Sequence, residues 1–337
     1  MSVREYLKLA RSFNAVLTGV SPVMGAIAMK QFDILILFLL FIIGFFGHTF
    51  GFVFNDIMDY KIDKKEKALS DRPLLSGTIS MRNAWLFAIA SMAICFIIAL
   101  FIAYRTNNYY PILILGLAAF FTTVYDISGK RILGTDVLLS IGVFFFVLYG
   151  ATTVVNNIYD ITLLAWIVCA LGLIQVQFMA TICGAMKDIA NDFKLGLKTI
   201  PIRMGGRITD GKLILPKSYK ALAYFIQIAN IVFVLLPYFI IWGIDNLTVF
   251  QYIQIIAIFL IGAIMFFLSY KLLFMERFDR KKARMLIGTH YMTNFMIVPI
   301  MLMSLNPWAG ILLFFPFLGF ILSNIILHGS LLVPKTM

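Results

Sequence analysis

Long apolar runs separated by polar stretches set the plan of this chain. They fall near residues 12–29, 33–54, 84–104, 109–125, 133–155, 161–186, 218–242, 248–274, 285–304 and 308–331. A helix needs about 20 apolar residues to cross the roughly 30 Å hydrocarbon layer of a bilayer. Each run therefore reads as a membrane-spanning helix, because in lipid a helix satisfies its own backbone hydrogen bonds. The expected fold class is all-α: a polytopic bundle of nine or ten spans, with 1–337 forming one membrane domain. Only Asn306-Pro307 parts the last two runs, which predicts a tight reversal.

Composition agrees. The chain is 61% apolar and 13% charged, with a mean hydropathy of +0.95. Soluble domains average about 45–50% apolar and about 25% charged. The three long connections, 57–83, 187–217 and 275–284, share one side of the span map, and the connections opposite are short. All but two of the 28 Lys and Arg fall on the side with the long loops; Lys30 and Arg105 are the exceptions. Cytoplasmic loops are rich in Lys and Arg, so that side is expected to face the cytoplasm. The net charge of +12 is then a topology signal. Cations spread over short loops beside lipid argue against nucleic acid as a partner. The stretch after Arg4, Lys8 and Arg11 reads as a first span without a clear signal-peptide cleavage site. Cys95, Cys169 and Cys183 sit inside apolar runs, without metal-ligand spacing, and read as packing or lipid-facing residues.

The chemistry lies where two spans end. The second ends in Asn55-Asp56-Ile57-Met58-Asp59-Tyr60-Lys61-Ile62-Asp63. Asn55, Asp59 and Asp63 stand at i, i+4 and i+8, one helical face with a column about 12 Å long. Like charges at that spacing destabilise a helix unless something neutralises them. A hard cation such as Mg²⁺ does so, taking one or two carboxylates and filling its octahedron with waters and phosphate oxygens. The plain alternative pairs these acids with Lys61, Lys64, Lys65 and Lys67 in a solvated loop. The sixth span ends in Asp188-Ile189-Ala190-Asn191-Asp192, again two carboxylates at i and i+4. Two such ladders on one side can hold Mg²⁺ around a diphosphate. Arg72, Lys130, Arg131 and Lys198 are the cations placed to neutralise the rest of its charge. For Lys130, Arg131 and Lys198 the competing reading is a topology-setting charge at the headgroups. His48 precedes Asn55 by seven residues and reads as a hydrogen-bonded histidine inside the bundle ahead of a cavity group.

These segments resemble a known family. Asn55-Asp56-x-x-Asp59-x-x-x-Asp63 followed by Arg72-Pro73-Leu74-x-Ser76-Gly77 resembles the first signature of UbiA-type intramembrane prenyltransferases. Asp188-x-x-x-Asp192-x-x-x-Gly196-x-Lys198-Thr199-x-Pro201 resembles the second. Arg11-Ser12-Phe13-Asn14 is similar to the family's N-terminal Arg-x-x-Asn, and Tyr125 with Lys130-Arg131 to its third element. The resemblance covers about residues 10 to 210. It implies about nine helices around a central cavity, and transfer of a prenyl chain from its diphosphate to a lipid-soluble or amphipathic acceptor. It implies Asn55, Asp59, Asp63, Asp188 and Asp192 as the Mg²⁺–diphosphate set, with Arg72, Lys130 and Arg131 on diphosphate or acceptor. Asn14 and Tyr125 would lie on the acceptor side. Tyr125 and Lys130 are five positions apart where quinone-type members have four. That tilts the acceptor towards geranylgeranylglyceryl phosphate, with 4-hydroxybenzoate or naphthoate as the alternative. The second-motif helix lacks the Arg-Glu of many archaeal ether-lipid members, so the acceptor stays open.

Two non-prenyl classes fit less well. A secondary transporter places ionisable groups near the bilayer midplane, whereas here they gather at one interface. A CDP-alcohol-type phosphotransferase needs an Asp-Gly-x-x-Ala-Arg stretch before its acids, which is absent.

Overall fold

The computed structural model describes residues 2–64, 69–129, 132–194, 196–329 and 331. All ten apolar runs are helical. A short α1 (Val3–Leu9) leads into α2 (Ser12–Ala28), and α3 (Ile34–Met58) follows, capped by Asp33 on the amides of Leu35 and Ile36. One more turn, α4 (Tyr60–Asp63), prolongs α3. Then come α5 (Met81–Thr106), α6 (Tyr110–Ser128), α7 (Asp136–Thr152) and α8 (Leu163–Phe178). A wide π turn, Met179–Gly184, joins α8 to α9 (Ala185–Lys194), and one turn, α10 (Ile200–Arg203), follows. The second half holds α11 (Lys217–Ile240), α12 (Val249–Leu273), α13 (Arg280–Leu302) and a last segment, Pro307–His328, that mixes 3₁₀, α and π turns. The reversal at Asn306-Pro307 is built as expected, with the Asn306 side chain capping the Trp308 amide.

Eight helical segments among the described residues are long and apolar enough to cross a bilayer. The other two, α2 and α7, have 17 residues each. Those two cross close together, because a Cβ on Gly150 of α7 would collide with the Pro22 carbonyl of α2, and one on Gly25 with the Val147 carbonyl. Small residues at such contacts let membrane helices pack backbone to backbone. Among the eight long segments, α13 is the most enclosed at 67% buried, and α6 the least at 22%. Phe225, Phe259 and Leu260 stay exposed on the outer faces, as lipid-facing residues do.

Length places the acids. α3 has 25 residues, so it runs about 37 Å at 1.5 Å per residue and overshoots a hydrocarbon layer of about 30 Å. The continuous segment Leu163–Lys194 has 32 residues and overshoots further. Both carboxylate ladders sit on these projecting turns.

The strand content was not anticipated. Arg207–Thr209 (β1) and Lys212–Ile214 (β2) form an antiparallel hairpin in the loop after α10. It turns at Asp210-Gly211, both at positive φ (52° and 75°), the backbone of a type I′ turn. The loop before α13 docks on its edge, with the Leu213 amide on the Glu276 carbonyl and the Phe278 amide on the Gly211 carbonyl, each 3.0 Å. Two of the long loops are thereby zipped into one cap, closed beneath by Met186, Ile189, Tyr219, Leu273 and Met275.

Candidate active site

The first ladder keeps helical geometry across the α3–α4 joint. The Asp59 amide bonds the Asn55 carbonyl and the Asp63 amide the Asp59 carbonyl, each at 2.9 Å. Asn55, Asp59 and Asp63 therefore do share one face, but they do different things. Asn55 and Asp59 line a cavity of about 640 Å³ between the helices. The Asn55 amide also donates to Asp126 Oδ1 at 3.2 Å. Asp63 is 4% exposed and accepts from Arg72 Nη1 at 2.7 Å.

Asp56, off the ladder face, is the hub of this end. Its Oδ1 accepts from Arg11 Nη2 at 2.7 Å and from Arg72 Nη1 at 3.4 Å. Arg11, Asp56, Asp63 and Arg72 are each no more than 9% exposed. Buried charges persist only when paired, and this network ties the chain before α2, the end of α3 and the 72–78 turn together. Burial lowers the pKa of Arg11 and the charge of Asp56 opposes that shift. Arg11 sits at φ 47° and ψ 50°, left-handed for a residue with a Cβ, between α1 and α2. Its guanidinium also lies over the Phe52 ring, 4.7 Å from the centroid.

The second ladder faces the same cavity. Asp192 is buried and lines it, as does Asp188. Asp188 accepts from Arg280 Nη2 at 2.9 Å and lies 3.3 Å from Lys187 Nζ. α9 then stops at Gly196, whose φ of 65° suits glycine, while the Leu197 amide reaches back to the Asp192 carbonyl at 2.9 Å. This is a Schellman-type end. It turns the chain so that Lys198 lines the cavity mouth. Upstream, the Met179–Gly184 π turn forms part of the cavity wall, and Thr181 there lies 3.4 Å from Asp136 Oδ2. Such widened turns re-aim the helix that follows and recur at functional sites.

The cavity thus gathers Asn14, Asn55, Asp59, Arg72, Tyr125, Asp188, Asp192 and Lys198 of the anticipated residues. Lys130 and Arg131 lie outside the described residues. Asp56, Asp126, Asp136, Lys187 and Arg280 belong to the site without having been anticipated. Asp56 stands within the first acidic segment, but off the i, i+4 face. Asp126 directly follows Tyr125 and Lys187 directly precedes Asp188. Arg280 carries no local signal at all. Away from the acids the cavity wall is apolar, with Cys95, Phe96, Leu115, Val143 and Phe146 among its lining.

Among the described residues no three His, Cys, Asp or Glu side chains are grouped to hold a metal by themselves. The donors still suit Mg²⁺. Two helix ends bring hard carboxylate oxygens to one space, and Mg²⁺ commonly takes one or two of them and completes its shell from substrate phosphates and water.

Fold and site define a polytopic membrane protein whose interior cavity has a charged mouth and an apolar interior. The chain belongs to the UbiA prenyltransferase family, whose profile matches residues 15–295. It is 30% identical to digeranylgeranylglyceryl phosphate synthase of Pyrococcus furiosus over 213 residues, 61% of this chain and 70% of that one. It is 28% identical to 4-hydroxybenzoate octaprenyltransferase of Francisella tularensis subsp. novicida over 168 residues, 48% of this chain and 53% of that one. The fold matches a UbiA homologue from Archaeoglobus fulgidus bound to GPP and Mg²⁺, with TM-score 0.61 and 16% identity over 94% of this chain and 99% of that one.

Proposed function

We propose that this protein transfers a prenyl chain from a prenyl diphosphate, with Mg²⁺, to an amphipathic acceptor, and that the acceptor is geranylgeranylglyceryl phosphate. The observation that carries this reading is the facing of two carboxylate-bearing helix ends across one cavity that also holds Arg72 and an apolar wall. A prenyl tail is drawn into the apolar part, and its polyanionic head stays at the interface. Asn55, Asp59, Asp188 and Asp192, which line the cavity, would hold Mg²⁺, which supplies Lewis-acid stabilisation of charge on the departing diphosphate; Asp63, buried against Arg72, would act through that arginine. Arg72 and Lys198, with Lys130 and Arg131 beyond the described residues, would add fixed positive charge where that anion develops. Asp63 and Asp56 already hold Arg72 through the same Nη1, at 2.7 and 3.4 Å. The enclosed wall keeps water from the allylic carbon as it becomes cationic. Asn14 and Tyr125 would face the acceptor.

The acceptor choice rests on the Tyr125–Lys130 spacing and on the likeness to the Pyrococcus furiosus synthase, which extends over more of this chain than the likeness to the 4-hydroxybenzoate enzyme. An anionic lipid headgroup also suits the surrounding cations. The cation-rich loops support a site that faces the cytoplasm.

The test is direct. Purified protein with Mg²⁺, a labelled prenyl diphosphate and a panel of acceptors should release pyrophosphate and give a prenylated glyceryl phosphate lipid. Turnover with an aromatic acid instead would move the acceptor assignment. No Mg²⁺-dependent turnover with any acceptor, together with no prenyl diphosphate binding, would sink the reading.

A further inference from the structure

The cavity has an opening besides its charged mouth. A residue that lines a cavity and is also exposed on the outside marks a rim. Among the described residues, those that do both fall in two groups. Ile132, Leu133, Gly134 and Lys198 ring the mouth beside the ladders. Met92, Phe96 and Gly116 lie instead within the spans α5 and α6, where the outside is hydrocarbon. Phe96 is 51% exposed and Met92 43%. The cavity is therefore open to lipid between α5 and α6.

Packing accounts for the gap. Only a short turn joins α5 to α6, yet each helix leans on a different neighbour. Cys95 Sγ of α5 donates to the Ile43 carbonyl of α3 at 3.4 Å, and Trp85 of α5 meets Phe54 of α3 edge to face. α6 leans on α7, where a Cβ on Gly142 would come 2.6 Å from Thr122 Cγ2. At the end far from the ladders, Asn108 of the connecting turn donates to the Thr152 and Val155 carbonyls at 3.0 and 2.8 Å and ties the hairpin down. The gap is left at mid-span, and glycine keeps it clear, because a Cβ on Gly51 or on Gly116 would meet nothing within 4 Å. The seam between α2 and Pro307–His328 is shut. There a Cβ on Gly319 would come 2.5 Å from Val16 Cβ, Phe13 meets Phe320 with centroids 5.6 Å apart, and no residue of Pro307–His328 lines the cavity.

One ridge of α3 leads from the polar end to this gap. Ile43, Gly47, Gly51, Asn55 and Asp59 stand four residues apart, and all line the cavity. Asn55 and Asp59 carry the groups read above as holding Mg²⁺ and diphosphate. Gly51 and Gly47 below them have no side chain, and Gly51 lies about 6 Å from Asn55 along the helix. Ile43 and Cys95 then close the floor. A chain attached to a diphosphate at Asn55 and Asp59 passes over the two glycines, meets that floor and turns to the side. We infer that the prenyl tail of the donor leaves the cavity between α5 and α6, past Gly116, Met92 and Phe96, and ends in the lipid. The inference rests on the prenyl-transfer reading above and deepens it. A cavity open to lipid sets no upper limit on donor length, because lipid tails outside are as apolar as the wall inside.

The unaltered protein gives the first test. A geranylgeranyl diphosphate analogue with a photoreactive group at the end of its tail, bound with Mg²⁺, should crosslink to α5 and α6 around Met92, Phe96 and Gly116, as read by peptide mass spectrometry. Crosslinks confined to other spans, or none from a probe that is turned over, would overturn the inference. Geranylgeranyl and octaprenyl diphosphate should be used with similar kcat/KM; rejection of the longer donor would also overturn it. Gly51→Leu and Gly116→Leu fill the path. Each should lower kcat/KM for geranylgeranyl diphosphate relative to dimethylallyl diphosphate by about tenfold, roughly two methylene groups' worth of lost burial. Leu113→Trp, on α6 but 63% exposed and off the lining, should leave that ratio unchanged. An equal effect on both donors in both glycine variants would count against this route. Wild-type protein that neither turns over nor captures any prenyl diphosphate would overturn the prenyl-transfer reading instead, and this inference with it.

Discussion

Asp56 shows how much one off-face residue organises. It is the shared anchor of Arg11 and Arg72, both of which line the cavity, though it does not line the cavity itself. Removing one partner of a buried ion pair strands the other, which costs about 3–5 kcal/mol. Asp56→Ala removes the carboxylate that pairs with Arg11 and leaves Arg72 held by Asp63, so a thermal melt in detergent should fall well below wild type, and diphosphate affinity should fall with it as Arg72 loses a guide. An unchanged melt would mean that water reaches these charges. Asp59→Asn and Asp192→Asn change charge at near-constant shape. They should leave the melt in place and cut kcat by about a hundredfold or more, the scale of losing one group that stabilises developing charge. Near-wild-type turnover in either would remove that residue from the proposed Mg²⁺ set. The ladders were legible because acids at i and i+4 on a helix end need a counterion. Asp56, Asp126 and Arg280 were not, because their roles come from contacts 45, 71 and 92 residues away in sequence, and no local pattern encodes those.

At the level of elements, apolar periodicity and length marked a polytopic helix bundle, since lipid leaves a long apolar run no other way to satisfy its backbone. What periodicity could not mark was local departure from it. The Met179–Gly184 π turn interrupts a run that reads as one uniform helix. The β1–β2 hairpin did carry a signal, Asp210-Gly211, but its strands are only three residues each. Close packing of α2 against α7 is equally hidden, yet easily tested. Gly150→Ala places a methyl against the Pro22 carbonyl, a backbone atom that cannot swing aside. It should lower the melting temperature by the equivalent of about 1–3 kcal/mol, the usual penalty of overpacking. Gly116→Ala on α6 meets nothing within 4 Å. It should leave stability unchanged or raise it by up to about 1 kcal/mol, as alanine replaces glycine in a helix. Equal melts for the two variants would mean that the α2–α7 contact is looser than this geometry.

For the whole molecule, one charge asymmetry links topology to chemistry. The loops that carry nearly all the Lys and Arg also carry the ladders, the Arg72 turn and the hairpin cap. Cations that orient a membrane protein and cations that neutralise a diphosphate thus share one face, and the substrate's head must come from the side the positive charge selects. Labelling can decide which side that is. The three native cysteines, Cys95, Cys169 and Cys183, are buried, so background reaction with a membrane-impermeant maleimide should be low in the folded protein. Ser76, exposed in the turn after Arg72, and Tyr159, 90% exposed in the connection between α7 and α8, lie at opposite ends of the bundle. In intact cells Tyr159→Cys should label and Ser76→Cys should not. In inverted vesicles the pattern should reverse. Labelling of Ser76→Cys in intact cells would put the acid ladders on the outer face. Prenyl diphosphate supplied from the cytosol would then have no route to Asp59 and Asp192, and the proposed direction of substrate entry would fail even if the ladders bind Mg²⁺ as argued.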